Sequence, residues 1–181
     1  TNNIINDAFF GIYSQYGIHC LIMNNTLAAV AKNEQQSGNG IHCWKSDSMQ
    51  IIANTISGHR DGIYFEFVSE SFIRNNLSEK NIRYGLHFMF SNDDAYLNNT
   101  FCNNGAGVAV MYSKKVRMEN NRFEQNWGPS AYGILLKDIT DSDIRQNTFF
   151  KNTVGIHMEG SSRIEIQKNS FYHSRHPADP C

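Results

Sequence analysis

A glycine is followed 14 residues later by an asparagine seven times along this 181-residue chain: Gly11 and Asn25, Gly40 and Asn54, Gly62 and Asn76, Gly85 and Asn99, Gly107 and Asn121, Gly133 and Asn147, Gly155 and Asn169. The steps between glycines are 29, 22, 23, 22, 26 and 22, so the body of the unit is constant and only the connection from Asn to the next Gly stretches. A fixed body with one elastic connection marks a stack of equivalent units, because an insertion must leave a stack sideways. Gly17-Ile18-His19-Cys20 imitates Gly40-Ile41-His42-Cys43, but a unit that starts at Gly17 breaks the 14-residue rule, so the first unit starts at Gly11.

Apolar residues recur at fixed places in each unit. The residue after Gly is Ile12, Ile41, Ile63, Leu86, Val108, Ile134 or Ile156, and two positions on stand Ser14, Cys43, Phe65, Phe88, Val110, Leu136 and Met158. Ile22, Ile51, Ile73, Tyr96, Met118, Ile144 and Ile166 precede the Asn by three; Leu27, Ile56, Ser78, Phe101, Phe123, Phe149 and Phe171 follow it by two. These are short period-2 strands, about three per unit. One such coil cannot bury its own apolar face, whereas stacked coils share a core. The pattern predicts an all-β, single-stranded, right-handed parallel β-helix of about seven 22-residue coils, with the recurring Asn forming an internal amide ladder. The whole chain, 1–181, reads as one domain with insertion loops at 28–39 and 127–131.

Composition excludes several classes. A net charge of −1 and a pI near 6.6 argue against a nucleic-acid-binding surface, and no run of about 18 apolar residues exists to cross a bilayer. Cys20, Cys43, Cys102 and Cys181 form no CxxC pair and decide neither compartment nor chemistry. The chain opens Thr1-Asn2-Asn3 without a Met or a leader, and shows no capping helix at either end, so it reads as a processed form or a fragment of a longer chain. No nucleophile elbow, phosphate loop or zinc signature is present.

Strand alternation places the second and fourth residues after each Gly on the outer face. The second column reads Tyr13, His42, Tyr64, His87, Ala109, Leu135, His157, and the fourth Gln15, Trp44, Glu66, Met89, Met111, Lys137, Glu159. A plain solvated sheet would show Lys, Glu, Thr and Ser here. Thioether sulfur and imidazole suit Cu(I), which makes His87, Met89 and Met111 candidate metal ligands. His42, Trp44, Tyr64 and Glu66 complete a candidate partner-binding patch, since exposed Met and aromatic residues also build adaptable protein surfaces. His59, His173 and His176 fall in loop or tail positions and read as solvated, and His157 is remote from the cluster. An alternative set of catalytic groups is Asp93, Asp94, Lys114 and Lys115, an acid pair beside a basic pair; a polysaccharide lyase or epimerase needs such a set in a long groove. The competing reading of these four is hydrated turn chemistry.

The segment Tyr84-Gly85-Leu86-His87-Phe88-Met89-Phe90-Ser91-Asn92-Asp93-Asp94 resembles the YGLHFMYSDD-type segment of the NosD family, and Gly107-Val108-Ala109-Val110-Met111-Tyr112-Ser113 resembles its GVAVMYS segment. Ala131 to Asp138 and Gly62-Ile63-Tyr64-Phe65 fit as well, so the resemblance covers most of residues 62–159. It implies a periplasmic, copper-binding accessory protein without catalytic activity of its own, which serves the maturation of nitrous oxide reductase. The implied partners are an inner-membrane ABC transporter, the reductase and a copper chaperone. The family's metal-binding character is carried over to His87, Met89 and Met111. The chain is shorter than the resemblance implies for a whole family member, and residues 28–39 depart from the repeat.

Overall fold

A computed structural model describes residues 1–126 and 131–172. Residues 127–130 of the expected second insertion, and His173 and His176, lie outside the described residues. Within them the chain is all-β, and every strand pairs in parallel with its equivalents in the neighbouring coils. Three sheets of eight, seven and seven strands run along the stack, giving about eight turns. The extra turn over the expected seven begins at Ile4–Asn6, which pairs with Thr26–Ala28 ahead of the first Gly/Asn unit. Ile12 pairs with Ile41 and Tyr13 with His42, so the register takes Gly11 as the repeat position.

The four apolar columns fill the interior. In the middle coils Ile63, Phe65, Leu86, Phe88, Val108 and Val110 are fully buried, as are Ile73, Tyr96, Phe101 and Phe123 from the other two sheets. The Phe column stacks face to face, Phe123 on Phe149 at 4.8 Å and Phe149 on Phe171 at 4.7 Å. Coils at the ends have a neighbour on one side only, so the same columns are open there, with Phe171 and Met158 exposed.

The corners explain the repeated Asn. In the coil that begins at Gly85, four residues take left-handed backbone: Phe90 (φ 51°), Asp93 (φ 59°), Asn98 (φ 56°) and Asn103 (φ 53°). Each such residue costs about 1 kcal/mol, and the geometry turns the chain while freeing the next backbone N–H of the coil before. A buried polar side chain accepts each of these. Ser91 Oγ takes the N–H of Val68 at 3.1 Å, Asp94 Oδ1 that of Ser71 at 2.9 Å, Asn99 Oδ1 that of Asn76 at 3.0 Å and Asn104 Oδ1 that of Asn81 at 3.0 Å.

The Asn25 to Asn169 ladder is therefore one of several. It starts one rung earlier, at Asn3, and each amide from Asn25 to Asn147 both donates to and accepts from its neighbours. A second ladder, Asn81, Asn104, Asn126 and Asn152, stands five residues after the first. The repeat glycines have a different reason. They do not sit at positive φ; a Cβ on Gly85 would lie 2.7 Å from the Gly107 carbonyl oxygen and 2.9 Å from the Phe101 ring. Glycine is required there by close approach of one coil to the next.

Asn99 is the central test of this scheme. It donates to Ile73 O and Asn121 Oδ1 and accepts from the backbone and side-chain nitrogens of Asn76. Replacing it with Ala leaves the buried backbone N–H of Asn76 without its acceptor and takes a donor from Ile73 O and Asn121 Oδ1, each unsatisfied buried group costing about 1–3 kcal/mol. Asn99→Ala is expected to lower unfolding stability by about 3 kcal/mol, read as a fall in the urea midpoint.

Candidate soft-metal and docking face

The sheet that follows the repeat glycines brings the expected cluster together. Its strands Asn39–Trp44, Asp61–Glu66, Tyr84–Met89 and Ala106–Met111 lie side by side. In this register His42 pairs with Tyr64 and Tyr64 with His87, while Trp44 pairs with Glu66, Glu66 with Met89, and Met89 with Met111. Met89 and Met111 are half-buried neighbours one strand spacing apart. The Tyr64 hydroxyl donates to Met89 Sδ at 3.6 Å, and burial, then Glu66, push that hydroxyl's pKa up to about 12.

The second column is not open to solvent as the alternation predicts. His87 and Ala109 are buried, and His42 and Tyr64 are half-buried. Rings from successive coils contact one another, Tyr13 and His42 at 4.5 Å, His42 and Tyr64 at 4.7 Å, Tyr64 and His87 at 5.0 Å, and Tyr84 of the same strand lies 4.8 Å from His87. Large flat side chains in tilted and edge-on contact at about the strand spacing shield one another, an effect that strand alternation alone does not contain. Burial, then the Arg60 charge, lowers the pKa of His42 to about 4.

Sequence reasoning missed the charged groups under this stack. Asp61 is fully buried on the outer face; Arg60 Nε lies 3.4 Å and Arg83 Nε 4.0 Å from its carboxylate, and His87 Nδ1 lies 3.8 Å away. None of these contacts is a hydrogen bond, and both Asp61 oxygens and both His87 nitrogens are buried without one. The loop between Thr26–Ala28 and Asn39–Trp44 reaches the same place, with Glu34 3.9 Å from Arg83. Asp61 is the residue before a repeat Gly, as Asn39 and Tyr84 are, and the alternation count starts only after that Gly.

His59 also corrects the sequence reading. It is buried and occupies the place of an Asn in the second ladder, with its N–H accepted by Asn81 Oδ1 at 3.1 Å and Ser37 Oγ 3.1 Å from its Nδ1. Burial lowers its pKa to about 4. His157 lies on the outer column beside Tyr132 at 4.9 Å, away from the cluster.

The alternative acid–base set divides between wall and surface. Asp94 is a buried corner cap, and burial holds its carboxyl well above the usual range. Asp93 is an exposed left-handed corner residue 3.5 Å from Lys115 Nζ, on an open groove of about 310 Å³ that is also lined by Asp94, Arg117 and Asp141. Lys114 is exposed, and its backbone N–H is taken by Asn92 Oδ1 at 3.0 Å. Asp94 is thus part of the frame and not a hydrated turn residue.

Known proteins share both the sequence pattern and the fold. The profile of a family described as periplasmic copper-binding protein (NosD) matches residues 28–178, most of the chain. The chain belongs to the NosD family. Curated proteins give no match. Among solved structures, the periplasmic alginate epimerase AlgG superposes with a TM-score of 0.79 at 12% identity over 93% of this chain and 49% of its own. The A-module of mannuronan C-5 epimerase AlgE4 from Azotobacter vinelandii gives 0.67 at 15% identity over 90% and 52%. PfbA, a surface adhesin of Streptococcus pneumoniae, gives 0.64 at 14% over 84% and 43%. At these identities the likeness is one of fold, and the chain spans about half the length of the solved structures it matches.

The family's copper-binding character can be set against the donors present. Among the described residues no three His, Cys, Asp or Glu side chains gather as a metal site, which argues against a hard or borderline ion held by such a set. The outer face offers soft donors instead: two thioethers in register, and on the same strand as Met89 an imidazole whose buried nitrogens lack partners. That donor set fits Cu(I). No helix among the described residues is long and apolar enough to cross a membrane.

The Asp94 assignment is testable without any ligand. Its pKa is raised in the folded state, so the folded protein holds that proton more tightly than the unfolded one, and the burden on stability grows as pH rises above the ordinary carboxylate range. Asp94→Asn keeps an acceptor for the Ser71 N–H and carries no charge. It is expected to raise the urea midpoint at pH 7, with the gain shrinking towards zero as pH falls below about 4.

Proposed function

We propose that this chain is a periplasmic copper-handling and docking module that serves assembly of the copper–sulfur centre of nitrous oxide reductase. In this reading Cu(I) is cargo. It arrives from a copper chaperone, meets His87, Met89 and Met111, and passes on in concert with an inner-membrane ABC transporter and the reductase. The chain itself carries out no bond-making chemistry.

The observation that carries the reading is the pairing of Met89 with Met111 on an outer face in a NosD-family chain. A thioether is a neutral, soft ligand that needs no deprotonation, so an ion held by two of them and one imidazole can leave without proton uptake at sulfur. Half-burial of Met89 and Met111 supports transfer as well, whereas a closed four-ligand cage would retain its ion. Trp44, Tyr64 and Glu66 flank the thioethers, and a stacked ridge of Phe67, Phe90 and Tyr112 follows at the next corner, with ring separations of 5.1 Å and 5.1 Å. An apolar, aromatic rim around a soft-donor patch suits a protein that docks in order to hand over a metal.

A polysaccharide-modifying activity receives less support. It needs Asp93, Asp94, Lys114 and Lys115 to converge; Asp93, Asp94 and Lys115 line one groove, but Lys114 is not among its lining residues and the buried Asp94 carboxyl takes the Ser71 N–H.

Anaerobic titration with Cu(I) against a competing chelator tests the proposal. The wild-type chain is expected to bind one equivalent, and Met89→Ala/Met111→Ala to weaken that site at least about tenfold. Binding unchanged by the double substitution would remove the copper role from this face and leave docking as its function.

A further inference from the structure

His42 and His87 stand in the same outer column with Tyr64 between them, yet their surroundings select opposite tautomers. At His42 the selection starts from Arg60, whose Nη2 donates to Asn39 Oδ1 at 3.0 Å. That bond fixes the amide of Asn39, which is fully buried, so that its Nδ2 is the atom facing His42 Nδ1 at 3.0 Å. An amide nitrogen only donates, so His42 Nδ1 accepts and the ring hydrogen of the neutral imidazole resides on Nε2.

At His87 the partner has the other polarity. Asp61 Oδ2 lies 3.8 Å from Nδ1, in a site from which both side chains are shielded from solvent. With Arg60 Nε and Arg83 Nε beside the same carboxyl group, the oxygen that faces the ring is an acceptor, which favours hydrogen on Nδ1. Asp61 in turn is kept in place by Arg60 and Arg83, and Arg83 is anchored over the Tyr84 ring at 5.0 Å and beside Glu34 of the inserted loop at 3.9 Å. The lone pair of His87 is then on Nε2, which is buried and has no hydrogen-bond partner. Tyr64 and Tyr84 cover the ring, so the imidazole is held against rotation.

We infer that Asp61 is a positioning residue which holds His87 as the Nδ1–H tautomer, so that His87 Nε2, and not Nε2 of His42, is the imidazole donor on this face. A carboxylate behind a histidine is the usual way to orient such a donor and raise its basicity. The assignment of tautomers stands on this geometry alone; its use for Cu(I) rests on the reading of the preceding subsection.

Long-range ¹H–¹⁵N correlation spectra of the metal-free, ¹⁵N-labelled chain test it, at a pH where both rings are neutral. The expected result is Nε2–H for His42 and Nδ1–H for His87. His87 found as Nε2–H would overturn the inference whatever copper does. Asp61→Asn removes the charge and is expected to move His87 towards Nε2–H while His42 keeps its tautomer; if that variant does not fold, the wild-type spectrum decides alone. One equivalent of Cu(I), which is diamagnetic, is then expected to shift His87 Nε2 and leave His42 unmoved, and His87→Ala is expected to weaken binding about tenfold or more. A shift at His42 instead would overturn the donor assignment. The stated tautomers with no copper-induced change at either ring would uphold the role of Asp61 and sink the copper reading.

Discussion

Everything in this structure depends on how a backbone N–H is satisfied where a coil turns a corner. A left-handed residue changes the chain's direction, and the N–H of the residue after it has no strand to pair with. The chain meets this by giving that following residue a short polar side chain, aimed inward, whose oxygen accepts the N–H of its counterpart one coil away. Because the acceptor in one coil serves the donor in the coil before it, corners are satisfied only in a stack. Cooperativity between coils follows directly, and so does the constancy of register along the three sheets.

That constancy makes the outer face useful. Side chains at one repeat position are forced to stand one strand spacing apart, so a column of Tyr and His becomes a row of contacting rings, and Met89 and Met111 become neighbours although they are 22 residues apart in sequence. The stack buries polar groups that would otherwise be hydrated. A fully buried carboxylate such as Asp61 is costly unless charged or hydrogen-bearing groups surround it, and Arg60, Arg83 and His87 are the groups that do. Chemistry on this face is therefore built in two layers, soft donors near solvent and a charged layer behind the imidazole.

Fold and function separate cleanly here. The frame is shared with alginate epimerases and with a bacterial adhesin at identities of 12–15%, which means that corner caps and core columns are compatible with very different surfaces. The family match rests on the whole pattern across residues 28–178. Within that span the segment from Tyr84 to Asp94 contributes both kinds of residue: Leu86, Phe88, Ser91 and Asp94 build the frame, while His87 and Met89 face outward.

Sequence by itself determined the repeat, the all-β stacked fold, the inward columns and the Asn ladder, because each depends on spacing within a unit and spacing is written in the chain. It also placed Met89 and Met111 together, since both hold the same repeat position. Tertiary structure alone decided what happens between positions. His87 and His59 are buried rather than solvated, because neighbouring rings and a ladder site close over them. Asp94 turned out to be a cap, because an aspartate and a ladder asparagine present the same acceptor oxygen and only the corner geometry shows which N–H it takes. Asp61 could not be foreseen at all. Its importance comes from its chain neighbour Arg60, from Arg83 and His87 of the adjacent coil and from a loop inserted elsewhere, and contacts between coils arise from stacking and leave no period in the sequence.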